Sequence, residues 1–248
     1  MARFNRAIIY SAMIGILTAA STWPATAHDR FSWSGFYFGG SVGWMGTEVD
    51  WNFTNPANST VATSQSVDNF VLGGHLGYQQ QFGRIIVGLE AGVTGRPFDQ
   101  FDRKESNCAF PSPFDDRCDL NNVGPLYTFG MRLGYTPAEN WMIYATGGYA
   151  YARIETQIRF GGVGVPPPPN ATPVTLTSTG HGGWYIGAGI EYALMRNVIL
   201  GLEYQRVELD SEGHCAGGTC TIPSPLNSDV SLTADIVRAR LSYKFSLD

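Results

Sequence analysis

WSGFYFGGSVGWMG, residues 33–46, holds five aromatic residues and five glycines in fourteen positions, and none of them carries a charge. So many glycines argue against a helix, where each costs about 1 kcal/mol relative to alanine. Alternate positions separate the stretch into two faces. One face carries large apolar side chains such as Phe36, Phe38 and Trp44, and the other is mostly small or polar. The alternation predicts a β-strand whose two faces meet different environments.

Seven further stretches repeat this alternation. They are residues 70–80, 85–94, 126–136, 142–153, 183–192, 198–205 and 235–247. The connections after the second, fourth and sixth strands are short, whereas those after the other strands are long. Outer-membrane barrels have such short turns at one end and long loops at the other. The pattern predicts an all-β fold, an eight-stranded antiparallel up-and-down transmembrane β-barrel.

The first residues have the features of a secretory leader. Two arginines precede the apolar run 7–20, and an Ala-Thr-Ala site ends at Ala27. This order is typical of a signal peptide, and the apolar run is shorter than the roughly 20 residues of a membrane-spanning helix. We therefore predict a signal peptide at 1–27 and a barrel domain with four long outer loops at 28–248. A membrane anchor is the alternative.

The charge balance limits the possible partners. Charged residues make up 15% of the chain, and its formal net charge is −5. No basic patch points to a nucleic-acid partner. No stretch after the leader reaches the roughly 18 apolar residues of a helical span. The predicted location is the bacterial outer membrane, with outer-membrane lipid as the surrounding partner.

The less apolar faces of the predicted strands carry six charged residues: Glu90, Arg132, Glu191, Glu203, Arg238 and Arg240. Such charges favour a lipid-facing apolar side over a soluble, lipocalin-like barrel, whose apolar face would point inward. The lumen of an eight-stranded barrel is just wide enough for side chains to fill, and buried charges are costly unless they are paired. We predict that the six form a salt-bridge network that plugs the lumen. A small water channel is the alternative.

Four cysteines form two pairs close in sequence: Cys108 with Cys118, and Cys215 with Cys220. In an oxidising compartment such pairs predict disulfides, which would lie in the second and fourth long loops. His214 beside Cys215 suggests zinc as a rival. No second C-x-x-C and no paired histidine spacing supports it, so no metal site is predicted.

Catalytic signals are weak. The glycine run does not form a dinucleotide fingerprint, because Ser41 interrupts it and no helix follows. His75 has no hydroxyl two residues away, and its position predicts an interior histidine with a satisfied hydrogen bond. His181 and His214 are weak candidates for haem capture. We predict no enzyme activity and no cofactor.

Five segments together resemble the alphaproteobacterial outer membrane immunogenic protein family of outer-membrane β-barrels. They are WSGFYFGGSVGW, FGMRLGYTPAENWMIYATGGYAYA, WYIGAGIEYAL, VILGLEYQRVEL and VRARLSYKF. The resemblance implies an eight-stranded barrel like the membrane domain of outer membrane protein A, and no catalytic residue. Members are surface antigens that support envelope integrity. Some relatives bind haem, and some are described as porins.

Two features depart from the family pattern. Members commonly end at the aromatic residue of the last strand, which helps the barrel assembly machinery recognise them, whereas here three residues follow Phe245. The cysteine pairs also do not carry over from the family. The predicted function is a structural and surface-antigen role. The alternatives are a small-solute porin, or haem or host-ligand binding through the outer loops.

Overall fold

The structure is a computed structural model that describes residues 31–54, 60–96, 105–107, 117–159, 174–175, 179–214 and 228–245. The predicted signal peptide lies outside these residues. In the described ranges, no helix is long and apolar enough to cross a membrane.

The described residues form strands almost throughout. In chain order they are β1 (Gly35–Thr54), β2 (Thr60–Phe82), β3 (Ile85–Gly95), β4 (Glu105–Asn107), β5 (Arg117–Val123), β6 (Leu126–Ala138), β7 (Trp141–Arg159), β8 (Val174–Thr175), β9 (Thr179–Ala193), β10 (Val198–His214) and β11 (Ser228–Phe245). Eight of them pair antiparallel in the order β1-β2-β3-β6-β7-β9-β10-β11, and β11 pairs with β1 to close the barrel. The predicted fold class is confirmed.

The three remaining strands are short and extend one side of the barrel. β5 pairs with β7 beyond the end of β6, and β4 pairs with β5. β8 pairs with β7 in the same region. The two-residue turn between β2 and β3 contains Gly83, whose φ of +64° is a left-handed conformation that glycine adopts without strain.

The outward side chains form an apolar belt around the end of the barrel that carries the short turns. On β1 this belt runs from Phe36 to Trp44, which are 54% and 55% exposed. Between them the inward side chains alternate, with Tyr37 and Ser41 buried. Large apolar side chains at comparable exposure continue the belt on the other seven barrel strands. The faces predicted from alternate positions are those observed.

Beyond the belt the two faces exchange polarity. On β1, Glu48 and Asp50 point outward while Val49 is fully buried. On β11, outward Asp235 precedes buried Ile236, whereas lower on the strand the inward residues are charged. Several barrel strands therefore continue past the belt with a polar outer face and an apolar inner face, whereas β3 ends at Gly95, opposite Leu72. We call this part the outer extension.

The outer extension makes the strands longer than the sequence pattern indicates. β2 begins at Thr60, ahead of the predicted strand 70–80, and β10 continues to His214, beyond the predicted strand 198–205. The adjacent apolar residues Ile236 and Val237 mark the exchange on β11, where the alternation loses phase. The strand pairing of β11 continues through this point, because backbone N–H and C=O groups need hydrogen-bond partners whatever the polarity of the side chains.

Candidate functional site: the charged lumen

The six charged residues singled out from the sequence all point into the barrel, and each is 6% exposed or less. Glu90 lies on β3, Arg132 on β6, Glu191 on β9, Glu203 on β10, and Arg238 and Arg240 on β11. We call this set the lumen charge network. Its three carboxylates and three guanidinium groups balance in formal charge.

Arg240 lies between the acids of opposite walls. Its Nη2 is 2.5 Å from Glu90 Oε2, and its Nη1 is 2.5 Å from Glu203 Oε2. Its Nε is 3.9 Å from Glu191 Oε1. The guanidinium of Arg240 thus lies within 3.9 Å of all three carboxylates. In this buried setting an unpaired charge would be strongly unfavourable.

The other two arginines complete the network. Arg238 donates from Nε and Nη2 to the same oxygen, Glu203 Oε1, at 2.9 and 2.6 Å, while Glu203 Oε2 accepts from Arg240. Arg132 pairs with Glu191 and lies 3.7 Å from Glu90 Oε2. Every charged group of the network therefore has at least one partner of opposite sign.

Two tyrosines that were not predicted as site residues belong to the same level. Tyr37 donates its hydroxyl to Glu90 at 2.8 Å, and Tyr144 donates to Glu203 at 2.5 Å. The guanidinium of Arg132 stacks 3.6 Å from the ring centroid of Tyr144, a cation–π contact. Both tyrosines occupy the same alternate positions as the small and polar residues of their strands. This position in the alternation is the sequence signal that could have identified them.

His75 lies beside the network and contacts a hydroxyl from another strand. Its Nε2 is 2.8 Å from Ser242 Oγ, and both side chains are buried in the lumen. A histidine at this distance from a serine has the spacing of a base and its nucleophile. The contact gives His75 a hydrogen-bond partner inside the lumen.

Apolar layers lie above and below the network. In the outer extension, Val49, Val207, Val230 and Ile236 are fully buried and pack in one cluster inside the lumen. We call this cluster the apolar cap. At the turn end, Trp33 is fully buried with a second cluster, which we call the floor: Trp33, Ile86, Met142, Tyr144, Ala193 and Ile199. The sequence interpretation predicted the charged network and missed both apolar layers.

The remaining candidates do not join the network. His181 is buried in the outer extension with its Nδ1 3.0 Å from the carbonyl oxygen of Asp210. Cys108, Cys215 and Cys220 lie outside the described residues, and for Cys118 and His214 only the backbone is described. The disulfides stay a prediction. In the part of the chain that the structure describes, no group of three or more His, Cys, Asp or Glu could hold a metal ion.

A closed antiparallel barrel with an apolar belt and a charged interior has the architecture of bacterial outer-membrane barrels. A family model described as the outer membrane protein beta-barrel domain matches residues 15–245, and the chain belongs to that family. The chain is 28% identical over 237 residues to the 31 kDa outer-membrane immunogenic protein of Brucella melitensis, covering 93% of this chain and 91% of the relative. The same protein from Brucella suis matches equally.

Among solved structures, one aligns with a TM-score above 0.5 and shows the same fold at low sequence identity. The outer membrane protein OprG from Pseudomonas aeruginosa aligns with a TM-score of 0.51 at 11% identity, covering 88% of this chain and 99% of that one. Ail, the attachment invasion locus protein of Yersinia pestis, aligns with a TM-score of 0.39 at 13% identity, covering 84% and 99%. The chain is an outer-membrane protein, so lipid surrounds its apolar belt.

The change of polarity along β11 predicts opposite results for two similar substitutions. Leu241→Arg places a charge in the middle of the belt, opposite Gly40, and we expect a loss of about 2–4 kcal/mol in the free energy of unfolding. Thr233→Arg, on the same face eight residues away, places the charge between Glu48 and Glu208 and should be neutral or stabilising. Urea unfolding in lipid vesicles measures both. Equal losses would contradict the assigned belt boundary.

Proposed function

We propose that the chain is a non-enzymatic structural and surface-presenting protein of the outer membrane whose lumen is closed to ions. The layered interior carries this proposal. A balanced charge network fills the middle of the lumen, the apolar cap lies on the loop side, and the floor lies on the turn side. An ion crossing the barrel would have to pass all three layers.

Each layer opposes passage for a different reason. The apolar cap offers no partner to a desolvated ion, which carries a large transfer cost. In the network the charged groups already bond to one another. Arg240 donates to Glu90 and Glu203, and the hydroxyls of Tyr37 and Tyr144 donate to the same two carboxylates. The floor closes the remaining mouth with a fully buried indole.

Planar-bilayer recording tests the closed lumen. We expect the folded wild-type monomer to give no stable current steps. Its insertion is to be established separately by the compact, heat-sensitive gel band that folded barrels show. Uniform, long-lived steps from the monomer would overturn the proposal and support the rival, a small-solute porin.

The surface-presenting part of the proposal is supported by the outer extension and by the immunogenic relatives. An epitope inserted in residues 55–59, between β1 and β2, should be labelled by antibody on intact cells. The same epitope in the turn Glu139–Asn140 should be labelled only after permeabilisation. Reversed labelling would contradict the proposed orientation.

The proposal also names the barrel assembly machinery as the partner that inserts the chain. Depletion of that machinery should leave the tagged protein in the periplasm without its heat-sensitive band. Haem or host-ligand binding through the loops is not favoured by the described residues, because the His181 side chain is buried and bonds to a backbone carbonyl. A haemin titration without a spectral shift is the expected result.

A further inference from the structure

The segment before the first strand turns back into the lumen. Residues 31–34 precede β1, and the chain bends at Gly35, whose φ is +135°. A side chain at Gly35 would collide with the carbonyl oxygen of Phe245. Glycine is therefore required both for the backbone angle and for the close approach of β11. We call residues 31–34 the N-terminal segment.

Trp33 crosses the mouth of the barrel. Its indole Nε1 donates to the carbonyl of Glu139 at 3.3 Å, in the turn between β6 and β7. That turn joins the fourth and fifth barrel strands counted from β1, so it lies on the far side of the ring. The indole is 0% exposed, although it comes from a segment with no ladder pairing of its own.

The backbone of Trp33 is also bound by side chains of the wall. Its N–H donates to Gln81 Oε1 at 2.9 Å, and its carbonyl accepts from Gln79 Nε2 at 2.8 Å. Phe31 packs edge-to-face on the indole, with ring centroids 4.8 Å apart. Lys244 Nζ lies 5.1 Å above the Phe31 ring and 3.3 Å from the carbonyl of Ser34. The wall thus recognises an aryl side chain together with the peptide groups beside it.

We propose that the turn-side mouth of the barrel is a binding cup for an aromatic residue in an extended peptide, filled in this chain by its own Trp33. The cup consists of Ile86, Met142, Tyr144, Ala193 and Ile199 for the ring, with Gln79 and Gln81 for the backbone. The contacts that hold Trp33 are those that any tryptophan-containing peptide offers. The cup shares Trp33 with the floor of the proposed closed lumen, and separate measurements test the two.

Release of the N-terminal segment from the cup would break no strand pairing. The ladder of β1 begins at Gly35, which pairs with Gln79, so the segment is joined to the wall by side-chain bonds and packing. Predicted cleavage after Ala27 would give this segment a free end three residues before Phe31. Because the segment stays attached at its other end, its effective concentration at the cup is high and a free peptide competes poorly with it.

Removing the indole tests the cup. Trp33→Gly should lower the midpoint of the heat-sensitive transition by on the order of 10 °C, because a large buried side chain is lost. Free indole should recover several degrees by binding the vacated space. Trp44→Gly is the matched control, since Trp44 is 55% exposed on the belt and its loss leaves no enclosed space. Indole should not restore the control.

A peptide with the sequence of residues 31–35 provides a second measurement. Isothermal titration should show this peptide binding to the Trp33→Gly barrel and not to the wild-type barrel. Trp33→Phe should retain most of the midpoint, because the phenyl ring fills the cup and only the bond to Glu139 is lost. If Trp33→Gly does not fold alone, refolding with indole present should restore the yield.

The outcomes separate the two proposals. Equal effects of indole on both glycine variants, or no recovery of midpoint or folding yield, would overturn the cup. Current steps from the wild type together with recovery by indole would contradict the closed lumen and support the cup. A wild type without current steps, together with no recovery by indole, would support the closed lumen and contradict the cup.

Discussion

Arg240→Met will lower the free energy of unfolding of the barrel by about 3–5 kcal/mol, because it leaves buried carboxylates without their shared partner. Arg240 is 1% exposed and approaches Glu90, Glu203 and Glu191. Methionine fills a similar volume, so the loss in the free energy of unfolding is attributed to the missing charge. Urea unfolding of the protein in lipid vesicles measures it.

Two companion variants identify the cause of the Arg240 effect. Arg84→Met removes an arginine from an exposed turn, where its side chain makes only a 3.4 Å contact to Tyr135, and should change stability by less than about 0.5 kcal/mol. Adding Glu90→Gln to Arg240→Met restores the charge balance, and the double variant should lose less than the sum of the two single losses. Additive losses would show that Arg240 does not act through the network.

The second large effect is expected at Gly43. Its side chain would point into the lumen and meet Arg238, with Cβ and Cα of that residue 2.7 and 2.9 Å away, as well as the carbonyl of Val237. Backbone on the neighbouring strand cannot yield without breaking the ladder. Gly43→Val should therefore cost about 3 kcal/mol or more, at the upper end of overpacking effects.

Gly40 provides the matched control on the same strand. Its side chain would point to lipid, and its nearest neighbour would be the carbonyl of Gly73 at 3.8 Å. Gly40→Val should be neutral or slightly stabilising, because it restricts the unfolded chain without a clash. Val42→Leu, also on the lipid side, should be nearly silent. Refolding yield and the unfolding midpoint compare the three, and similar losses at Gly40 and Gly43 would contradict the assigned faces.

The barrel and its two faces could be predicted because alternation is a local property of the chain. Residues 33–46 contain both faces, and Phe36 and Ser41 lie on the sides that their chemistry indicates. The charged side of the lumen followed from the same parity. Glu90 and Arg240 are 150 residues apart in sequence, yet each could be assigned to the interior without knowing its partner.

The contacts that could not be predicted from the sequence form only when the barrel closes. Three carboxylates compete for Arg240, and only the register of β11 against β10 and β1 decides the distances. The position of Trp33 was hidden because residues 31–34 have no periodic pattern and its partner Glu139 lies 106 residues away. The outer extension was missed because a change of phase in the alternation looks like the end of a strand.

The outer extension has a mechanical consequence for whatever meets this protein from outside. From Trp44 to Thr54, β1 rises about 25 Å along the barrel axis, taking about 3.3 Å per residue and a tilt of about 40°. The chain leaves and re-enters the wall at Thr54 and Thr60, the ends of the long ladder between β1 and β2. A large partner can therefore reach these attachment points without touching the bilayer, and pulling on them loads the antiparallel ladders that β1 forms with β2 and with β11.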